Sequence, residues 1–392
     1  MSTPLPLPEL TSQESEHSAQ LVQCIRAHIE ASGGWISFER FMEMALYQPG
    51  LGYYSAGATK LGGAGDFITA PEISPLFSRC MAWQCAEIFE QLGGADILEL
   101  GAGSGIMAAD ILCELAQQDR LPQHYFILEV SADLRERQQQ LLKQRIPQWF
   151  SRVHWLDAWP EQLRGVVLAN EVLDALPVQR FRIRHGAVNA MGVTWQLGRL
   201  DWSEVRAGAE LEAAVRTIES ASEQPFPDGY VSEINLRIEP WMRGLAQALS
   251  EGVALFIDYG LPQRQYYRSE RHEGTLLCHF RHRFHDDPLT NVGVQDIGAW
   301  VDFTAVAAAA CNAGLRVAGF STQAHFLMGT GIEHFLSDIA NLELAQRMPL
   351  ARQAMVLTLP GEMGEKFKVL GLTARYDRPL RGFGVRDMAG AL

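Results

Sequence analysis

No apolar run in this 392-residue chain reaches the roughly 18 residues that a membrane-crossing helix needs, which excludes a helical span. Basic residues are in deficit: 33 Lys and Arg against 46 Asp and Glu leave a net charge of −13. That is the wrong sign for a platform that holds nucleic-acid phosphates, and it suits a basic protein partner better. Cysteine is sparse and carries no motif. None of Cys24, Cys80, Cys85, Cys113, Cys278 and Cys311 forms a C-x-x-C pair, and several sit in helical or apolar stretches, so they read as reduced thiols. Internal repeats and low-complexity tracts are also missing. The start, Met1-Ser-Thr-Pro-Leu-Pro-Leu-Pro followed by Glu9, Glu14 and Glu16, has neither the basic and apolar regions of a secretion signal nor the Arg-rich character of a mitochondrial presequence. A cytoplasmic location is the expectation. With 47% hydrophobic residues, the chain can bury a large core in one main domain plus appendages.

The most informative segment present is Glu99-Leu-Gly101-Ala-Gly103-Ser-Gly105, entered from Asp96-Ile-Leu and left through Ile106-Met-Ala-Ala. Three glycines at spacing two describe a strand ending in a tight turn whose bare backbone can approach a nucleotide-like ligand before a helix begins. A dinucleotide fingerprint would place its third glycine where Ile106 stands, which disfavours nicotinamide or flavin. The spelling E-x-G-x-G-x-G matches S-adenosylmethionine methyltransferases, in which the acid lies near the cationic methionine end.

A βα rhythm follows. Tyr125-Phe-Ile-Leu-Glu129-Val puts a carboxylate 24 residues beyond Gly105, where a second strand presents it to two ribose hydroxyls. Val153-His-Trp-Leu-Asp157-Ala158 is the expected third strand, with Asp157 placed to accept from an adenine amine. Gly165-Val-Val-Leu-Ala-Asn170-Glu171 and Gly252-Val-Ala-Leu-Phe-Ile-Asp258-Tyr-Gly260 are the expected fourth and fifth. Continuous apolar strands alternating with amphipathic helices predict a parallel sheet covered on both faces, with ligands at the strands' carboxyl ends. Each of these acids has a plainer alternative as a helix cap.

Around this core, residues 1–72 are expected to form a mobile arm, helices over His17–Ala31 and Ser37–Leu46, and a Gly-rich flap from Leu61 to Ser74; residues 73–392 form the core. Two insertions interrupt that core, at about 178–250 and about 262–305, each far longer than an ordinary βα connection. In the first, Gln179–Arg184 and Asn189–Gln196 alternate like paired strands across His185-Gly186, and Ala207–Ser220 reads as a helix. The second holds His272, His279, His282 and His285. They lack carboxylate or cysteine partners at a zinc spacing, and Arg281 and Arg283 oppose a cation, so no metal is expected. Leu315–Thr322 and Lys366–Thr373 are the expected last two strands.

Together, Gly65-Asp-Phe-Ile-Thr69-Ala-Pro-Glu-Ile-Ser74, the glycine turn, Leu128-Glu129-Val130-Ser131, Asn170-Glu-Val-Leu-Asp174-Ala-Leu-Pro177, Asp258-Tyr-Gly260, Gly274-Thr-Leu, His282, Val301-Asp302-Phe303 and Met363-Gly-Glu-Lys-Phe367 resemble the MidA family, in order, from about residue 35 to 375. Mitochondrial members of that family are protein-arginine methyltransferases that assist assembly of respiratory complex I. The resemblance implies a Rossmann-like class I methyltransferase: an α/β fold with a seven-stranded, mostly parallel sheet, helices on both faces, an N-terminal cap and large insertions. It also implies S-adenosylmethionine as donor and, as partner, a protein with an exposed arginine, a respiratory-complex subunit among the candidates. The candidate donor-binding residues are Thr69, Glu99, Gly101, Ala102, Gly103, Gly105, Glu129, Val130, Asp157, Ala158 and Asn170. One stretch departs from the family spelling D-I-T-A-H-V-D-F: here it reads Asp296-Ile-Gly298-Ala-Trp300-Val-Asp-Phe.

Methyl transfer from a sulfonium is an in-line displacement, so the protein mainly aligns the acceptor and excludes water. The fourth strand ends beside the methyl group in this fold, which nominates Asn170 and Glu171 to hold the acceptor. A guanidinium matches a carboxylate bidentately, so Glu171 is expected to orient it, with Asp174, one helical turn onward, or Asp302 completing the clamp. Asp258 and Tyr259 would bound the pocket, and His282 would take the released proton. A small-molecule acceptor, or a partner-binding assembly factor with a vestigial donor site, are the alternative functions.

Overall fold

The computed structural model describes residues 7–56, 68–222, 224–340 and 343–392. Residues 61–67 of the flap expected from Leu61 to Ser74 lie outside these residues. The chain divides into two compact units: residues 1–67, 174–237 and 263–300 form one, and residues 68–173, 238–262 and 301–392 the other. The N-terminal helices and most of both insertions therefore share one unit, a grouping that linear reading at 72/73 does not anticipate.

The second unit is built on strands β1 (Asp96–Leu100), β2 (Tyr125–Leu128), β3 (Val153–Leu156), β4 (Leu163–Asn170), β5 (Leu249–Leu261), β6 (Arg316–Thr322) and β7 (Phe367–Ala374). Their spatial order is β6-β7-β5-β4-β1-β2-β3, with the short strand Val301–Asp302 beside the end of β5. Strands β1 to β5 run parallel, and β7 runs antiparallel between β5 and β6. β4 is buried from Gly165 to Asn170, as its unbroken apolar run predicts for a strand covered on two faces. Alternation on β5 sends Val253, Leu255 and Ile257 into a core shared with helices Pro75–Leu92 and Ile106–Gln117. Phe256 points the other way, its ring 5.7 Å from that of Trp241 on helix Ile238–Ala248. Chain direction along the sheet reverses at β1, flanked by β4 and β2, which opens a crevice at their carboxyl ends.

In the first unit, helix Ser12–Ala31 begins in a capping box between Thr11 and Glu14. Its stripe Leu21, Ile25 and Ile29 packs with Phe38, Phe41 and Met42 of helix Phe38–Tyr47 and with Val193. The expected hairpin forms: Gln179–Arg184 pairs antiparallel with Ala187–Gln196 through His185 and Gly186, both at positive φ as a two-residue turn requires. Strands Arg199–Arg206 and Val231–Ile234 extend this sheet.

The Gly274-Thr-Leu motif has a structural cause in this unit. Fully buried Glu233 accepts from Thr275 N at 2.7 Å, from Thr275 Oγ1 at 3.1 Å and from Arg180 Nε at 3.1 Å. Gly274 lies against that carboxylate at φ +86°, so a Cβ there would strain the backbone and drive into Glu233. Gly274→Ala is expected to cost about 2–4 kcal/mol in urea unfolding, and an unchanged midpoint would contradict this packing.

Candidate functional site

The crevice at the end of β1 is shaped by Gly101, Gly103 and Gly105, at φ 61°, 55° and 86°. A Cβ on Gly101 would touch Val172 Cγ2 at 3.4 Å and one on Gly105 would touch Gln138 Cγ at 3.4 Å, so it is the positive φ rather than a clash that favours glycine here. Helix Ile106–Gln117 starts at Gly105, so its first N–H groups face the turn. Ala102 lies buried within the turn. Ser104 Oγ donates to Glu72 and accepts from Ile106 N at 3.3 Å, which fastens the turn from outside. Thr69 precedes the single helical turn Ala70–Ile73 and caps it with no side-chain bond.

Glu99 is buried and accepts from Tyr125 Oη at 2.7 Å. Burial pushes its carboxyl up to about 7; the tyrosine bond opposes that shift and nearby Glu129 adds to it. Glu129, buried at the end of β2, accepts from Ser131 N at 3.0 Å on one oxygen and from Gln138 Nε2 at 3.1 Å on the other. Burial raises its pKa against these hydrogen bonds. Val130 beside it is exposed. Asp157 and Ala158 are exposed beyond β3. Asp157 pairs with Arg135 Nη1 at 2.8 Å, and Arg135 also donates to the carbonyls of Glu129 and Leu156 at 2.6 Å each. One guanidinium thus ties the ends of β2 and β3 together.

At the end of β4, Asn170 Nδ2 donates to Glu171 Oε1 at 3.1 Å, and Asn170 Oδ1 is buried with no partner. Glu171 adopts the left-handed conformation at φ 53°, an uncommon state for this residue type and a frequent mark of functional turns. Buried Asp258 fixes the chain beyond it, accepting from Val172 N at 3.2 Å, Leu173 N at 2.9 Å and Tyr259 N at 2.9 Å.

The second unit therefore gathers the glycine turn, Glu99, Glu129, Asn170 and Glu171 at adjacent strand ends. The other expected acids differ. Asp174 belongs to the first unit and sits buried in a turn, not on a helix; its carbonyl accepts from Ala299 N at 3.1 Å. Asp302 is the N-cap of helix Phe303–Asn312, its Oδ1 taking Thr304 N and Ala305 N at 3.0 and 3.2 Å. His282 is an exposed residue at φ 61°, in the turn that joins strands Leu277–Phe280 and Arg283–His285 of the first unit. No group of three or more His, Cys, Asp or Glu side chains among the described residues could hold a metal. Where the family spelling has histidine, Trp300 packs its ring 5.2 Å from the Arg271 guanidinium.

Gln138 and Arg135 went unnoticed in the sequence. Gln138 had a signal: it stands between Leu134 and Leu142 on the buried i, i+4 stripe of helix Ala132–Arg145, where a polar side chain must find partners. The residues present fit a nucleoside donor. The turn holds three residues at the positive φ that glycine adopts freely, an acceptor atom on Asn170 is buried and unused, and Glu129 faces the same strand ends as a hydrogen-bond acceptor.

Comparisons with known proteins agree. Residues 80–321 match a family described as "Putative S-adenosyl-L-methionine-dependent methyltransferase". The chain is 29% identical to the mitochondrial protein arginine methyltransferase NDUFAF7 homolog of Drosophila melanogaster, covering 98% of this chain and 93% of that one. It is 28% identical to the human mitochondrial protein arginine methyltransferase NDUFAF7 over 89% and 84% of the two chains. A Burkholderia thailandensis crystal structure bound to S-adenosyl-homocysteine superposes with a TM-score of 0.93 at 37% identity, covering 99% of this chain and all of that one. The mitochondrial relatives overturn the cytoplasmic expectation, which rested on the composition of the first residues; where a chain begins carries no such information.

Proposed function

Since this chain belongs to the S-adenosyl-L-methionine-dependent methyltransferase family that the MidA resemblance implied, we propose that it methylates an arginine side chain on a protein partner. The observation that carries this reading is Glu171, a carboxylate held in a left-handed turn directly after Asn170 at the end of β4. S-adenosylmethionine supplies a methyl group already activated as a sulfonium. Glu171 then matches the donor fork of a guanidinium, turns one nitrogen toward the methyl, and holds the positive charge on the remaining nitrogens. The S–CH3 bond breaks with its electron pair left on sulfur, giving S-adenosylhomocysteine, while one N–H is replaced by N–CH3 and its proton leaves to solvent. The names of the mitochondrial relatives support arginine as acceptor. The net charge of −13 suits a basic segment. A respiratory-complex subunit is the partner to try first.

The test is incubation of the purified protein with labelled donor and lysate of its source cell, with the label located by mass spectrometry. Label on a protein arginine is the expected result; label confined to small molecules would overturn it. Calorimetry with S-adenosylhomocysteine separates both from a vestigial site, which would not bind.

Glu99 makes donor binding depend on pH. Its carboxyl titrates near 7 in the free protein. A ligand ammonium beside it favours the charged form and lowers that value, so a proton leaves on binding. Affinity for S-adenosylhomocysteine is expected to rise with pH up to about 7, by at most about tenfold per unit, and to level off above that. Calorimetry in buffers of different ionisation enthalpy detects the proton; heats that do not depend on the buffer would exclude this role.

A further inference from the structure

We infer that Gln138 is a positioning residue that makes the donor site selective for an intact ribose diol. Its side chain is fully buried, and each polar atom is committed. Nε2 donates to Gly103 O at 3.0 Å and to Glu129 Oε2 at 3.1 Å, while Oε1 accepts from Trp155 Nε1 at 2.9 Å. An amide offers two N–H donors, and here both are spent on the two parts of the site that meet the nucleoside, the second glycine and the strand-end acid. The Trp155 bond fixes which end of the amide points where, because an indole N–H can only donate. The same side chain packs against Gly105.

The consequence lies in Glu129. Ser131 N occupies one of its oxygens and Gln138 the other, so the carboxylate cannot rotate without breaking a bond, and the directions in which it can accept from hydroxyls are fixed. Two hydroxyls on adjacent carbons need that orientation; a single hydroxyl does not. A carboxylate free to turn would still bind a nucleoside but would lose its preference for the diol. Gln138 touches no part of the donor in this account. It acts through Glu129.

The test uses the full-length protein and calorimetry with S-adenosylhomocysteine and its 2′-deoxy analogue, so no turnover is needed. Wild type is expected to prefer the diol by about tenfold to a hundredfold, the range for a hydrogen bond to a charged group. Gln138→Met keeps the length and packing and removes the amide. It is expected to bring the two affinities within about threefold by weakening the diol ligand while leaving the deoxy ligand nearly unchanged. A purely structural role would weaken both ligands by the same factor. That result, or an unchanged preference, would overturn the inference. Trp155→Phe is the second variant, which removes only the bond that orients the amide and serves if Gln138→Met does not fold. Its preference should fall in the same direction, and a wild-type preference would overturn the inference equally.

Discussion

Glu171→Gln is expected to bind S-adenosylhomocysteine as wild type does and to lose methyl transfer to the arginine acceptor by about two to three orders of magnitude. The donor-side groups, Glu99, Glu129 and the glycine turn, lie on β1, β2 and the loop after β1, and the substitution leaves them alone. At residue 171 the backbone is fixed separately. The Glu171 N–H donates to Ile257 O at 2.9 Å, and the residue holds φ 53°. A left-handed non-glycine residue costs roughly 1 kcal/mol or more, so its side chain is held in place by the surrounding structure rather than by local preference. Glutamine keeps the size and can still meet Asn170 Nδ2 through its carbonyl. It loses the charge and half of the bidentate acceptor, the two properties that orient a guanidinium. Asp302, expected to complete the clamp, has one oxygen engaged by two backbone N–H groups as a helix cap. Initial rates with a labelled donor read the effect; turnover equal to wild type would remove Glu171 from the mechanism.

The fold was legible where periodicity is strong. Unbroken apolar runs gave β1, β2, β4 and β5, and the acids that end them fell at one edge because parallel strands share a carboxyl end. Arg199–Arg206 escaped because four charged residues interrupt its apolar alternation and imitate a loop, whereas in the sheet Glu204 is paired with Arg182 and Arg184 of the neighbouring hairpin. Asp174 was misread for a related reason: an acid after a strand resembles a first-turn helix residue, whereas here the chain makes a turn and leaves the sheet unit altogether. The donor residues were recognisable as types at spacings, but their fixings were not. Arg135 and Gln138 act across 20 or more residues to Leu156, Gly103 and other partners, and no one-dimensional pattern records which carbonyl a guanidinium will reach.

Asp258 shows the same gap, and its loss should be the largest single cost to stability around the site. Expected at the edge of the pocket, it anchors the backbone there: Oδ2 takes Val172 N and Leu173 N, and Oδ1 takes Tyr259 N, with the side chain buried. Asp258→Ala would leave three backbone donors without that acceptor in the interior. At about 1–3 kcal/mol for each donor left unsatisfied, the expected loss is about 3–5 kcal/mol once partial relaxation is allowed. Asp258→Asn should be milder, because its carbonyl still serves Val172 and Leu173 while its amide meets the Tyr259 N–H donor to donor. The asparagine protein should therefore fold, but the segment carrying Glu171 should be less well held, so methyl transfer falls more than donor affinity. Urea unfolding of both variants, paired with calorimetry on the asparagine form, measures this order. A loss under about 1 kcal/mol in Asp258→Ala would mean that other groups hold the turn, and the strained geometry of Glu171 would need a different cause.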